Sequence, residues 1–271
     1  NFSDVTSLDA CGEGTIVRTW TAIDCAGNAA VPVSQTITIE DTTPPVLSGQ
    51  GADATIECPA TAVFTAPTVA DNCDPAVVIN FSDVTSLDAC GEGTIVRTWT
   101  AIDCAGNAAV PVSQTITIED TTPPVLSGQG ADATIECPAT AVFTAPTVAD
   151  NCDPAVVINF SDVTSLDACG EGTIVRTWTA IDCAGNAAVP VSQTITIEDT
   201  TPPVLTGEGA DATIECPATA VFTTPTVADN CDPAVVINFS DVTSLDLCGV
   251  GTITRTWTAI DCAGKTGRAH V

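Results

Sequence analysis

Short runs of Val, Ile and Thr alternate with polar residues along this chain and are bounded by Pro, Gly, Asn and Asp. No stretch shows the three-to-four-residue spacing of apolar positions that an amphipathic helix needs, whereas alternation with period two marks a half-buried strand. Between positions 42 and 120 the pattern predicts strands over residues 54–58, 63–69, 76–84, 94–102 and 110–118. Turns fall at Ser48-Gly49-Gln50-Gly51, at residues 70–75, at Cys90-Gly91-Glu92-Gly93 and at residues 103–107, where Gly, Asn, Asp and Pro cluster. The expected fold class is all-β, built from sandwiches.

The pattern then recurs with a period of 79 residues: Asn1-Phe2-Ser3-Asp4 returns at Asn80, Asn159 and Asn238. Strict self-similarity at one period is the signature of an array, and it favours a scaffold over a reaction centre. The border belongs at Glu40-Asp41-Thr42-Thr43-Pro44-Pro45, because a proline pair cannot donate ladder hydrogen bonds and stiffens the chain. On that phasing residues 1–41 are the back half of a unit. Complete units follow at 42–120 and 121–199. The unit at 200–271 is divergent or truncated at its last strand, since Lys265-Thr266-Gly267-Arg268 replaces the earlier sequence. A missing strand would leave a sheet edge for the chain's continuation or a neighbouring subunit to cover.

The last unit also carries Thr254 where the first complete unit has Val96, Thr224 for Ala66, Val250 for Glu92 and Leu247 for Ala89. A β-branched isostere that gains a hydroxyl is tolerated best at a wet position, so Val96 should face solvent. Alternation then turns Ile95, Trp99 and Ala101 toward the core, with the Arg97 stem along its edge.

Each unit holds four cysteines, Cys58, Cys73, Cys90 and Cys104 in the first complete one, with no Cys-x-x-Cys spacing. That reads as disulfides rather than zinc, and so as an extracellular or cell-surface protein. Net charge is −28, and residues 42–120 set ten acids against Arg97 alone. Such a surface repels nucleic acid and anionic lipid and attracts cations. No apolar run is long enough to span a bilayer, and any secretion signal or anchor is expected outside this stretch. The complete units lack His, Lys, Tyr and Met, so the usual general bases and Ser–His or Cys–His couples are absent and no enzyme is expected. The sequon Asn80-Phe81-Ser82 recurs at Asn159 and Asn238, and reads as part of a strand.

These residues together resemble the hyalin-repeat (HYR) family. The match lies in Asp41-Thr42-Thr43-Pro44-Pro45, in Glu57-Cys58-Pro59, and in Pro67-Thr68-Val69-Ala70-Asp71-Asn72-Cys73-Asp74. It continues in Arg97-Thr98-Trp99-Thr100-Ala101-Ile102-Asp103-Cys104-Ala105-Gly106-Asn107. Similar tandem arrays occur in large secreted bacterial surface proteins, including gliding and adhesion proteins of the type IX system. The resemblance implies immunoglobulin-like or fibronectin-III-like sandwiches, disulfide-stapled and arranged end to end, with an adhesive or spacer role. Many relatives carry a further cysteine in the last strand, where this chain has none. Four cysteines allow three pairings. An immunoglobulin-like fold would favour Cys73–Cys104 with Cys58–Cys90, repeated as Cys152–Cys183 with Cys137–Cys169 and as Cys231–Cys262 with Cys216–Cys248.

Acidic residues recur in the loops and linkers: Asp88, Glu119, Asp120, Asp150, Asp153 and Asp182, with Asn186. In end-to-end sandwiches these segments converge, in an arrangement similar to cadherin junctions, and hard oxygen ligands in that number suit calcium. The competing reading is that they are solvated turn formers. The functional expectation is a rigid stalk or adhesin array of a cell-surface protein, partnered by a surface ligand or by neighbouring copies of itself. A self-assembling filament is the first alternative, and a carbohydrate- or protein-binding module the second.

Overall fold

A computed structural model describes residues 1–270, which form strands and turns and no helix. The chain divides into two compact units, one of residues 1–122 with residues 151–153, the other of residues 123–150 with residue 154 onward. Strands β1 (Phe2–Leu8), β2 (Gly14–Trp20) and β3 (Val33–Ile39) make an antiparallel sheet in that order. The next repeat adds β4 (Val46–Ser48), β5 (Ala54–Glu57), β6 (Thr68–Ala70), β7 (Val78–Leu87), β8 (Gly93–Ile102) and β9 (Val112–Glu119). Its main sheet has the order β5-β9-β8-β7, with β5 parallel to β9, and β4 pairs with β6 in a second, smaller layer. The same set recurs as β10 (Val125–Ser127), β11 (Ala133–Glu136), β12 (Thr147–Ala149), β13 (Val157–Leu166), β14 (Gly172–Ile181) and β15 (Val191–Glu198). The fold is thus a tandem array of disulfide-linked β-sandwich repeats.

Between the two layers, Leu47, Trp99, Ala101 and Ala109 form a buried cluster against which Phe64, Val69 and Ile79 pack. Trp99 is 2 % exposed and meets Phe64 edge to face at 6.5 Å between centroids, a favourable aromatic geometry. Trp99 and Ala101 turn inward as read, whereas Ile95 and Val96 are both half-buried, Val96 sitting opposite the exposed Val84. Two strand expectations differ. The strand β4 is additional, and within residues 63–69 only the end joins a strand. There the Gln114 side chain replaces a ladder, its Oε1 accepting the Thr65 N–H at 3.0 Å and its Nε2 donating to the Ala52 carbonyl at 2.7 Å.

The final repeat holds β16 (Val204–Thr206), β17 (Thr226–Ala228), β18 (Val236–Leu245), β19 (Gly251–Ile260) and β20 (Thr266–His270). A last strand does exist, but it is short and pairs with β19 over Thr256–Ile260. Residues 212–215 have the sequence of β5 and β11, yet are not a strand. Their ladder partner in the other repeats is the far end of β9 or β15, which β20 does not supply.

The disulfides overturn the within-repeat pairing. Cys11 bonds Cys104, Cys58 bonds Cys152, Cys137 bonds Cys231 and Cys169 bonds Cys262, with Cα separations of 5.5–5.7 Å. Neither Cys73–Cys104 nor Cys58–Cys90 forms, nor do Cys152–Cys183, Cys137–Cys169, Cys231–Cys262 and Cys216–Cys248. Thiols Cys25, Cys73, Cys216 and Cys248 are free and exposed. The topology explains this. Cys58 ends β5 beside Glu119, its N–H donating to that carbonyl, so it sits at the junction end of the sheet. The Cys90 turn lies at the same end, because Gly93 pairs with Ile118. The loops of Cys73 and Cys104 do lie together, joined by the Cys104 N–H donating to Asp74 Oδ2 at 3.1 Å. From both ends, however, the sulfurs reach across the short linker to the adjoining repeat.

Candidate cation site at the repeat junctions

Three aspartates meet where the linker enters a repeat. Asp41 comes from the linker, Asp71 from the loop after β6 and Asp103 from the hairpin after β8, and one carboxylate oxygen from each lies within 4.8 Å of the other two. Asp41 and Asp103 are 8 % and 5 % exposed. Each carboxylate first organises its own turn, as Asx side chains do. Asp71 Oδ1 accepts the N–H groups of Cys73 and Asp74 at 2.8 Å, and Asp103 Oδ1 accepts that of Asn107 at 2.7 Å. The Asn107 Nδ2 donates to Asp103 Oδ2 at 2.9 Å and to the Asp41 carbonyl at 3.1 Å, tying hairpin to linker.

What remains is unusual: Asp41 Oδ2 and Asp71 Oδ2 are buried and accept no hydrogen bond. Buried carboxylate oxygens without donors are costly, and a cation is the ligand that would relieve them. The second unit repeats the arrangement with Asp199, Asp229 and Asp261, where Asp229 Oδ2 and Asp261 Oδ2 are the buried oxygens lacking a donor. Burial pushes the Asp199 carboxyl above the ordinary range against the Thr201 N–H, and the charges of Asp229, Asp261 and Glu136 add to the rise. Among the described residues the salt bridges are four Asp–Arg pairs on the sheets, and none involves these aspartates. All-oxygen donor sets of this kind fit a hard divalent cation.

Of the residues picked from sequence, Asp120, Asp150 and Asp182 occupy the positions of Asp41, Asp71 and Asp103 one period on, and Asp120 and Asp182 are buried. Asn186 occupies the position of Asn107, and its N–H donates to Asp182 Oδ1 at 2.7 Å. The other three stand apart. Asp88 closes its own turn by accepting the N–H groups of Cys90 and Glu92 at 2.9 and 3.0 Å. Glu119 is exposed beside Glu57 in the parallel ladder. At the position of Asp153 in the neighbouring repeats, Asp74 and Asp232 spend both oxygens on backbone N–H groups of the two loops.

Two glutamate positions of the repeat escaped the sequence reading. Glu13 and Glu171 accept the N–H of linker residues Asp41 and Asp199 at 2.6 and 2.7 Å. Glu136 accepts the Thr200 hydroxyl at 2.7 Å, the Thr201 hydroxyl at 2.9 Å and the Thr200 N–H, while Asn230 donates to the Cys137 carbonyl at 2.7 Å. These bonds hold its carboxyl down at about 2, the Thr200 hydroxyl contributing most. A signal for the first role was present, since Glu92 alone among these acids becomes an apolar residue, Val250, in the divergent last unit.

Comparison with known proteins agrees with the repeat. The family described as "HYR-like domain with 4 cysteines" matches residues 48–118, 127–197 and 205–269. The protein "Hyalin" of Strongylocentrotus purpuratus is 32 % identical over 282 residues, covering 95 % of this chain and 23 % of that protein. "Hyalin" of Lytechinus variegatus is 34 % identical over 215 residues, covering 71 % and 38 %. The chain therefore spans well under half the length of these relatives. Both are sea-urchin proteins, so they lend no support to a bacterial, type IX setting. The extracellular domains 1–4 of protocadherin gamma B7 align over 100 % of this chain and 90 % of that one, at 13 % identity and a TM-score of 0.40, too low to carry an argument. With three matches covering most of its length, the chain belongs to the family of HYR-like domains with four cysteines.

Proposed function

We propose that this chain is a structural and adhesive repeat region of a large extracellular protein, with repeats bordered at residues 42, 121 and 200, whose junctions bind calcium and are stiffened by it. The observation that carries this reading is the pair of buried carboxylate oxygens that accept no hydrogen bond, Asp41 Oδ2 with Asp71 Oδ2 and Asp229 Oδ2 with Asp261 Oδ2. Asp41, Asp71 and Asp103, or Asp199, Asp229 and Asp261, would hold the ion, with water completing the shell. The linker and two loops of the following repeat would then be fixed to one another. Disulfides at every junction fit an oxidising, extracellular setting. The role is that of a scaffold rather than a catalyst, and its partners are a surface ligand or other copies of the array.

Thermal melts of the intact chain in calcium and in chelator test the cation. Binding to the folded state alone stabilises by about 2.7 kcal/mol when the free ion is at one hundred times its Kd. A midpoint that is the same in both buffers would sink the calcium reading, and magnesium provides the comparison for a smaller ion.

A further inference from the structure

Each disulfide spans 93 or 94 residues, more than the repeat period, so the closed rings interlace along the chain. The ring Cys58–Cys152 opens before Cys11–Cys104 has closed, and Cys169–Cys262 opens before Cys137–Cys231 has closed. Two disulfides of the second unit, Cys137–Cys231 and Cys169–Cys262, both cross the junction at residues 200–203. Thr200, Thr201 and Pro202 in that junction are exposed.

We propose that the junctions are covalently bypassed couplings: a cut or a pull at the Thr-Thr-Pro-Pro segment is carried from sulfur to sulfur, and the coupling opens only to a reductant. The backbone at the junction is exposed at Thr200, Thr201 and Pro202, and the N–H groups of Thr200 and Thr201 are held by the Glu136 and Asp199 side chains, so it can carry an introduced protease site. With either disulfide intact, cleaving that backbone leaves the two halves as one covalent body. A dithiol reductant opens each bond by supplying two electrons and two protons. The cystine becomes two thiols and the reductant closes to its own cyclic disulfide. Because each bond suffices alone, removal of the two is non-additive.

The test places a protease recognition sequence at residues 200–202 of the full chain, with the free thiols alkylated beforehand, and compares reducing and non-reducing electrophoresis after cleavage. The parent, the Cys137→Ser/Cys231→Ser variant and the Cys169→Ser/Cys262→Ser variant are each expected as a single band without reductant and as two with it. The variant lacking all four cysteines is expected to separate in both. Separation of the cleaved parent without reductant would overturn the proposal, as would separation of either two-cysteine variant. The parent arm needs no substitution of cysteine, so it stands even where a variant fails to fold. Adding chelator leaves the halves joined, so this outcome is independent of the calcium reading.

Discussion

Asp83 and Arg97 stand opposite each other in the β7–β8 ladder and meet through two parallel hydrogen bonds of 2.7 Å, from Nε to Oδ1 and from Nη2 to Oδ2. The guanidinium carbon lies 4.4 Å from the centre of the Phe64 ring and 4.2 Å from that of Phe81, so the fork is also stacked on aromatic faces. The same pair recurs as Asp4–Arg18, Asp162–Arg176 and Asp241–Arg255. Lysine cannot reproduce either the fork or the stacking plane. Arg97→Lys is therefore expected to lower the melting temperature nearly as far as Arg97→Ala, and full retention by the lysine form would show that charge alone matters there.

The pair also fixes a pH response. The hydrogen bonds from Arg97 hold Asp83 below its ordinary 3.8, and Asp83 in turn raises Arg97 above its ordinary value. A carboxyl whose folded value is depressed stabilises the fold above its unfolded value and loses that contribution as pH falls through the folded one. Acid titration of stability should thus become shallower below pH 3.8 in Asp83→Asn. Circular dichroism melts at successive pH values would read it, and identical slopes would refute it.

The junction carboxylate Asp199 should behave in the opposite sense. Asp199 is held above its ordinary value of 3.8, so without a cation the folded state takes up a proton there more readily than the unfolded chain. In chelator, stability should rise as pH falls into that raised range, and calcium should abolish the rise. Asp229→Asn removes one of the repelling charges. It is expected to raise the melting temperature in chelator while shrinking the shift on adding calcium. A variant that is less stable in both buffers would mean that Asp229 serves only its turn.

Core and outer face are predicted to differ sharply. Ile195 is 2 % exposed, and Ile195→Ala should cost about 2–5 kcal/mol in urea unfolding. Val163, 66 % exposed on the outer face, should change stability by less than about 0.5 kcal/mol when made Ala. Comparable losses at both positions would argue that the outer face is covered in solution.

Strands, turns and inward positions were legible in the sequence because they rest on local alternation and on Gly, Pro and Asp chemistry. Trp99 and Ala101 could be assigned inward from Val96 and Thr254 alone. The disulfide partners could not, because they depend on which repeat a sulfur faces, and identical repeats look alike in sequence. Residues 212–215 make the same point: four letters that form β5 and β11 form no strand where the pairing partner is replaced. The acids of the triads were visible as a class, but Asp88, Glu119 and Asp153 were indistinguishable from them until their hydrogen-bond partners were known.

Glu136 ties three segments together, since its carboxylate receives the hydroxyls of Thr200 and Thr201 and, at 3.3 Å, the amide of Asn230. Its folded value of about 2 lies below the ordinary 4.5, so its contribution is complete above pH 4.5 and disappears as pH falls toward 2. Glutamine keeps the size and one acceptor oxygen but loses the charge that makes these bonds strong. In Glu136→Gln the Thr200 amide, which donates to this carboxylate at 3.0 and 3.1 Å, should exchange its hydrogen faster, while core amides of β14 exchange as before. The disulfides hold the junction covalently, so the effect should be confined to the linker rather than spread through the repeat. If the amides of β14 accelerate together with that of Thr200, Glu136 supports the whole repeat and not the junction alone.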